Sequence, residues 1–373
     1  MSFEHTPLIQ QSPDPTEYRF LGSEGISTVE IGGKEYLHVE PEVLTKLAKE
    51  GLSEINFYFR TAHLKQLRAE LDDPEASDND KFVIYTHLQN AVVAAHGVLP
   101  TCQDTGTAVA FGKKGQYVLT DCDDEAAICK GIYETYQEKN LRYSQLAPTH
   151  MFSEVNTRTN LPAQVDIAAT NGSEYNLMFM AKGGGSANKM FLYQSTPAVL
   201  NERDFSEFVK SKLKEIGTSA CPPYHLCVVV GGLGAEHTMK MLKLLSSGYL
   251  DGVPTEGDEH GRAFRDPEWE AKILKIAQEC KIGAQFGGKI FAHDVRVLRL
   301  PRHAASMPIG IGVSCSADRQ IKAKITKEGA FIEQLEHNPA QFLPAEQPKL
   351  APPVPVDLNM GMAKIRELLS QFP

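Results

Sequence analysis

Apolar residues recur at helical spacing in several segments of the chain. Over residues 41–98 the spacing places leucine, valine and alanine side chains on single faces, which predicts helices. The last of these begins at Ser77, a residue type that caps helix N-termini, and stops at Gly97. The same spacing predicts helices from a cap at 121–124 to about 140, and over 205–216, 235–245 and 267–281.

Other segments alternate apolar with polar residues or form short apolar runs, and these predict β-strands. Residues 26–39 alternate around Gly32-Gly33, which is typical of a hairpin. Two more hairpins are predicted: strands 107–111 and 116–119 around Lys113-Lys114-Gly115, and strands 164–170 and 176–181 around Asn171-Gly172. Further strands are predicted over 226–230, 290–300, 321–325 and 331–335. The expected fold class is therefore α/β in the mixed α+β sense, with mixed β-sheets, surrounding helices and a helical region near the N-terminus.

The organisation of the chain follows from its length and its proline-rich parts. Its 373 residues exceed the usual size of one core, so a large composite domain or two lobes is expected. Polar residues 1–17 predict an arm, and residues 18–338 carry the helix and strand patterns. Residues 339–373 combine a proline-rich stretch with an amphipathic pattern over 357–371, and we expect a linker that leads to a further domain.

Charge and hydropathy narrow the function classes. The formal net charge is -9, with no basic stripe of the kind that binds phosphate backbones, so nucleic acid is not an expected partner. No apolar stretch approaches the roughly 18 residues of a membrane span. Residues 1–18 contain no lysine or arginine, unlike a transit peptide or the basic start of a secretory signal. We expect a cytoplasmic protein that is not bound to a membrane.

The seven cysteines are widely dispersed, which suits a reducing compartment with free or metal-bound thiols. Three lie in turns beside proline, glycine or serine, and three others lie in apolar runs typical of buried small hydrophobes. The turn cysteines are Cys102, Cys221 and Cys315; the others are Cys129, Cys227 and Cys280, with Cys122 in neither class. Three converging loop thiolates can hold an iron–sulfur cluster and leave one iron open as a Lewis acid. Their long intervals match no compact ligand motif, so the spacing alone favours three separate loop thiols over a cluster.

A glycine-rich segment over residues 182–189 offers backbone amides that can bind an anion. It lacks the Walker and Rossmann spacings, so a tight turn with donors toward some anionic group is favoured over a nucleotide site. Because Asp104 follows Cys102 by two residues, its carboxylate is expected to lie near that thiol. His303 can act as acid, base or donor, and Arg142 or Arg302 can hold a carboxylate. Taken alone, however, these residues are better explained as a structural imidazole and surface arginines.

Eight blocks of sequence together resemble the class I, iron–sulfur-dependent fumarate hydratases. They are Val98-Leu-Pro-Thr-Cys-Gln-Asp-Thr-Gly106, Glu138-Lys-Asn-Leu-Arg-Tyr-Ser144, Thr159-Asn-Leu-Pro-Ala-Gln164, Lys182-Gly-Gly-Gly-Ser-Ala-Asn-Lys189, Ala220-Cys-Pro-Pro-Tyr-His225, Pro254-Thr-Glu-Gly257, Ala284-Gln-Phe-Gly-Gly-Lys289 and Val313-Ser-Cys-Ser-Ala-Asp318. The resemblance runs from about residue 20 to residue 373. It implies a hydro-lyase that reversibly hydrates fumarate to (S)-malate.

The resemblance also implies roles for individual residues. Cys102, Cys221 and Cys315 correspond to the ligands of a [4Fe–4S] cluster whose fourth iron binds substrate. Substrate contacts correspond to Gln103, Asp104, Arg142, Gly185 and His303. Among these, Asp104 resembles the group that handles the hydroxyl proton, and His303 is expected to orient the substrate as a second catalytic residue.

Partners follow from the same family. We expect a homodimer, and residues 18–338 to form the cluster-binding N-terminal domain of the hydratase. In the family, further substrate arginines, a lysine and a threonine base lie in a C-terminal domain or a β subunit, so this chain is expected to hold only part of the active site. Two alternatives are the α subunit of a tartrate dehydratase-type enzyme and a non-catalytic iron–sulfur binding or dimerisation module.

Overall fold

The computed structural model describes residues 5–285 and 287–346, and its elements confirm the mixed α/β class. The helices are α1 (Pro41–Phe57), α2 (Thr61–Leu71), α3 (Asp78–Ala94), α4 (Asp124–Glu138), α5 (Gly184–Asn188), α6 (Glu202–Ile216), α7 (Ala235–Leu245) and α8 (Pro267–Glu279). The strands are β1 (Tyr18–Gly22), β2 (Ile26–Ile31), β3 (Lys34–Val39), β4 (Thr107–Gly115), β5 (Val118–Thr120), β6 (Leu146–His150), β7 (Ser153–Asn156), β8 (Gln164–Thr170), β9 (Tyr175–Lys182), β10 (Met190–Ser195), β11 (Tyr224–Gly232), β12 (Phe264–Arg265), β13 (Ala292–Arg302), β14 (Met307–Ser314), β15 (Gln320–Thr326) and β16 (Gly329–Glu333).

The predicted helices are present, and their caps explain where they begin. Ser77 accepts a hydrogen bond from Asp80 N at 3.1 Å, and the Asp80 carboxylate accepts one from Ser77 N at 3.2 Å. This capping box starts α3 as the sequence predicts, and α3 ends at Ala94, shortly before Gly97 with φ of 72°. Asp123 caps α4 in the same way by accepting from Ala126 N.

One core layer is a six-stranded sheet covered by helices. Its strand order is β1-β16-β15-β9-β4-β8, with β4 and β8 parallel and all other neighbours antiparallel. Helices α1 and α4 pack on one face of it and bury Leu44, Leu52 and Ile128 against Phe179 of β9. The N-terminal helical region thereby becomes part of the sheet's core.

The second layer is a five-stranded sheet in the order β10-β14-β11-β13-β12. Only β11 and β13 run parallel in this sheet. All nine residues of β11 are buried, as its continuous apolar run predicts. Helices α6 and α8 share one core with the sheet, while α7 shares another core with both sheets.

Two of the three predicted hairpins are wrong in their pairing. The first is confirmed, because β2 pairs with β3. However, β5 pairs with β3 rather than with β4, and β4 lies between β8 and β9 and so separates them. The reason is burial: residues 108–111 are all buried, so β4 takes a central place with both edges paired. Lys114, expected in a turn, instead donates to Asp124 at 2.9 Å.

The sequence patterns missed β1, β6, β7, β10, β12 and β14. Residues through Leu343 group into one compact unit and those from Pro344 into another. The predicted boundaries at residues 17 and 338 stay predictions, and the predicted helix over 357–371 lies outside the described residues. Among the described helices, none combines the length and apolar character needed to span a bilayer.

Candidate active site

The three turn cysteines lie on loops at element ends. Cys102 lies between α3 and β4, Cys221 between α6 and β11, and Cys315 directly after β14. Hydrogen bonds fix these loops: Ser316 N donates to the Cys221 carbonyl at 3.1 Å, which joins two of them. The third is held by Asn90, whose side-chain amide donates to the Thr101 carbonyl at 2.7 Å.

These loops bring the three cysteines to one cavity of about 440 Å³. The cavity is also lined by three of the predicted substrate residues, Gln103, Asp104 and Gly185. Residues far apart in sequence therefore line one cavity.

The sulfurs are spaced too widely for one small ion. Among the described residues, the one group of three ligating side chains with all ligand atoms within 4.8 Å consists of histidines, so the three thiols are more widely separated. A single tetrahedral ion with sulfur ligands at about 2.3 Å would hold them about 3.8 Å apart. Three thiols on one cavity are the kind of donor set that iron–sulfur clusters use.

Electrostatics at the cavity favour a cationic occupant. Burial raises the pKa of the Cys221 thiol, and the neighbouring Cys315 and Cys102 raise it further because thiolates repel one another. Ser186 adds a hydrogen bond from its hydroxyl to the Cys315 sulfur at 3.4 Å. A metal group among the three sulfurs would relieve that repulsion.

The glycine-rich segment, predicted as a tight turn, contains the short helix α5, and its first helical amide donates to an anionic group of the protein itself. Gly184 N, at the start of α5, donates to Asp104 Oδ2 at 2.7 Å. A Cβ on Gly185 would lie 3.0 Å from Ala220 Cα, so the missing side chain helps this segment approach the Cys221 loop closely. The segment thus fixes Asp104 beside the cysteines.

Arg142 and His303 are not among the residues that line this cavity. The Arg142 carbonyl accepts a hydrogen bond from the Thr105 hydroxyl at 2.8 Å, so Arg142 lies next to the Asp104 loop with its side chain exposed. His303 precedes β14 whereas Cys315 follows it, and eight strand residues separate the two by about 23 Å. His303 is therefore remote from the cysteines of its own chain.

Sequence reasoning missed several residues of the cavity, most notably Arg319. Its side chain is 2% exposed, its Nε has no hydrogen-bond partner in the described structure, and its Nη1 lies 3.5 Å from Asn56 Oδ1. Thr86, His87 and Asn90 of α3 also line the cavity. The position of Arg319, four residues after Cys315, is the one signal in the sequence that links it to the site.

Comparison with known proteins places this fold and site in a family. The family model for fumarate hydratase (fumerase) matches residues 45–324. "Fumarate hydratase class I, anaerobic" of Escherichia coli is 54% identical over 98% of this chain and 68% of its own length. "Fumarate hydratase 2" of Leishmania major is 53% identical over 99% of this chain and 66% of its own length.

The cavity and these matches together define a class of hydratase. The chain belongs to the class I fumarate hydratase family. It spans about two thirds of the length of these relatives. A putative L(+)-tartrate dehydratase subunit alpha of Methanocaldococcus jannaschii is only 28% identical over 70% of this chain, so the tartrate alternative is less well supported.

Proposed function

We propose that this protein hydrates fumarate reversibly to (S)-malate at the cavity formed by the loops of Cys102, Cys221 and Cys315. The observation that carries the proposal is the convergence of these thiols with Gln103 and Asp104 on one cavity. The family supplies the reaction class, a carbon–oxygen lyase.

Three thiolates in this arrangement would hold a [4Fe–4S] cluster, which when bound supplies an open iron as a Lewis acid for the substrate hydroxyl. The protein's own residues hold the substrate and its protons. Asp104 is fixed by two backbone donors, Gly184 N at 2.7 Å and Gly106 N at 3.1 Å, and keeps lone pairs free to accept the hydroxyl proton. The buried cation Arg319 offsets negative charge in the cavity.

Gln103 and Gly185 are proposed to contact the substrate carboxylates through amide donors, and Arg142 by a bidentate contact after its exposed side chain turns toward the Asp104 loop. His303 requires a different explanation because it is remote from these residues. We propose a homodimer in which His303 of one protomer reaches the cavity of its partner. A cytoplasmic location and contributions from a C-terminal domain or β subunit stay predictions.

The test is anaerobic reconstitution followed by iron and sulfide analysis of single Cys→Ser variants. The unmodified protein is expected to bind about four irons per chain. Cys102→Ser, Cys221→Ser and Cys315→Ser should each lose most of this iron. Cys280→Ser is the matched control, since this half-buried thiol lies away from the cavity and should keep full iron content. Full iron retention in all three site variants would overturn the cluster assignment.

Activity separates the hydratase from the binding-module alternative. Supplied with the C-terminal domain or β subunit of a relative, the reconstituted protein should interconvert fumarate and (S)-malate at a rate typical of enzymes, and should convert L(+)-tartrate much more slowly. The chain alone should be inactive or poorly active. A protein that binds the cluster yet shows no hydration even with that partner supplied would support a non-catalytic module. Faster turnover of tartrate would favour the dehydratase alternative.

A further inference from the structure

Three buried histidines from separate elements meet in the interior of the protein. They are His63 of α2, His225 of β11 and His293 of β13, and their exposed fractions are 3%, 4% and 8%. One ring nitrogen of each lies within 4.8 Å of the others, and His63 Nδ1 is 3.0 Å from His225 Nε2. Nothing in the proposed hydration uses these side chains.

Carboxylates hold the outer nitrogens of two rings. His225 Nδ1 lies 3.0 Å from Asp294 Oδ1, and His293 Nδ1 lies 2.8 Å from Glu70 Oε2. Because each carboxylate accepts the Nδ1 proton, the Nε2 atoms of both rings carry lone pairs. Metal-binding histidines in proteins show this same carboxylate–histidine arrangement.

One nitrogen available for a ligand has no partner in the protein. Within the described structure, Nε2 of His293 is buried and makes no hydrogen bond. A buried polar atom without a partner is costly, and rings aimed at one another with lone pairs are poorly satisfied by the protein alone. A cation between the three rings would give these nitrogens a partner.

The surrounding charges also favour a cation. Asp318 lies 3.7 Å from His225 Nε2 and adds a third carboxylate to Glu70 and Asp294, while Arg296 pairs with Asp294 at 3.0 Å. A divalent ion would balance the remaining negative charge.

We propose that His63, His225 and His293 bind a divalent first-row metal ion of the zinc type, separate from the cysteine cavity. Imidazole nitrogens bind Zn²⁺ at about 2.0–2.1 Å, which places them about 3.3 Å apart, so small ring rotations complete the site. Binding through His63 Nδ1 moves its proton to Nε2. The ion joins α2 to the parallel strands β11 and β13, and because the site is buried it enters as the protein folds.

The test uses Zn²⁺ as the probe. The protein is produced in zinc-supplemented medium, freed of loose metal with a chelator, and analysed for zinc and iron separately. We expect about one zinc per chain, with only nitrogen and oxygen neighbours in X-ray absorption at the zinc edge. Trace zinc, or zinc with sulfur neighbours, overturns the proposal. The sulfur signature marks zinc in the cysteine cavity, so the result does not depend on whether the iron–sulfur assignment is right.

Variants locate the ion. His293→Gln removes a ligand and should reduce zinc to trace levels, while Glu70→Gln keeps the ligand and should weaken zinc binding about 10–100-fold. His38→Gln is the matched control, because His38 also pairs with a carboxylate, Asp121 at 2.7 Å, but lies in another sheet. Zinc content that is equal in all three variants contradicts the proposal. If His293→Gln does not fold, the X-ray absorption spectrum of the unmodified protein and the zinc content of the Glu70→Gln variant still test the proposal.

Discussion

The Asp104 carboxylate is held by backbone amides and not by a salt bridge among the described residues. Gly184 N and Gly106 N each donate to a different oxygen, at 2.7 Å and 3.1 Å. A Cβ on Gly183 would come within 3.0 Å of Asp104 Oδ2, so the absence of a side chain there lets the turn close over the carboxylate. The carboxylate thus has a fixed direction, which general acid–base catalysis needs.

Asp104→Asn tests this role. The amide keeps the shape but lacks the charge and cannot accept a proton, so the rate of fumarate hydration is expected to fall by about 10²–10⁴-fold. The iron content should stay unchanged, because all three thiols remain. Both are measured on reconstituted variant and unmodified protein prepared in the same way and supplied with the same C-terminal domain or β subunit.

Asp166→Asn is the control for this substitution. Asp166 accepts a hydrogen bond from the Gln164 amide at 2.7 Å, lines a different cavity and should leave the rate nearly unchanged. If Asp104→Asn loses iron and rate in parallel, the carboxylate shapes the cavity and does not transfer protons.

At this scale the sequence predicts the site in part. The flanking proline, glycine and serine residues predict that Cys102, Cys221 and Cys315 lie in turns, and the structure places all three in loops between elements. Their convergence depends on how the two sheets pack, which no spacing encodes. Arg319 was missed for a related reason: its burial is created by tertiary contacts, whereas arginine alone predicts exposure.

Helices α1 and α4 pack closely at Gly131, which has no side chain to hold them apart. Gly131 of α4 lies so close to α1 that a Cβ there would be 2.2 Å from the Thr45 carbonyl oxygen. The helices also exchange hydrogen bonds, since Thr45 donates to the Ala127 carbonyl at 3.0 Å and Thr135 to the Lys49 carbonyl at 3.1 Å. The close contact therefore depends on glycine.

Gly131→Ala is expected to destabilise the protein. Alanine improves helix propensity by about 1 kcal/mol, but forcing two packed helices apart costs about 1–3 kcal/mol or more, so the net effect is a loss. Urea unfolding measures it. Lys130→Ala, the exposed neighbour in α4, should change stability by less than about 0.5 kcal/mol. A Gly131→Ala protein as stable as this control would show that the helices can separate at little cost.

Individual helices and strands were more predictable from the sequence than the pairing of the strands in the sheets. The apolar periodicity of α7 gave its bounds because the helix alone determines that pattern. The pairing of β4 could not be predicted, since Lys113-Lys114-Gly115 has the composition of a turn while neighbouring strands supply the hydrogen bonds that extend it. Local sequence determines that a strand forms, whereas distant strands determine its position in the sheet.

Over the whole molecule, Arg60 connects parts that are far apart in sequence. Its guanidinium donates to both Glu333 oxygens, at 2.7 Å and 2.9 Å, and to the Ser247 carbonyl at 2.7 Å. Glu333 also accepts from Lys322 N at 2.9 Å. Arg60, which directly precedes α2, therefore connects the helical region to the six-stranded sheet through one largely buried ion pair. Its hydrogen bond to Ser247 adds the segment after α7 to this connection.

Arg60→Met should therefore cost far more than loss of a surface pair. It leaves the Glu333 carboxylate buried without its cation, which costs about 3–5 kcal/mol, and urea unfolding should show it. Adding Glu333→Leu should restore most of the loss, although Lys322 N then lacks an acceptor. Lys272→Met, which breaks an exposed pair with Glu268, should cost less than about 1 kcal/mol. If Arg60→Met costs no more than Lys272→Met, or if the double variant recovers nothing, the buried charge is not what holds these layers together.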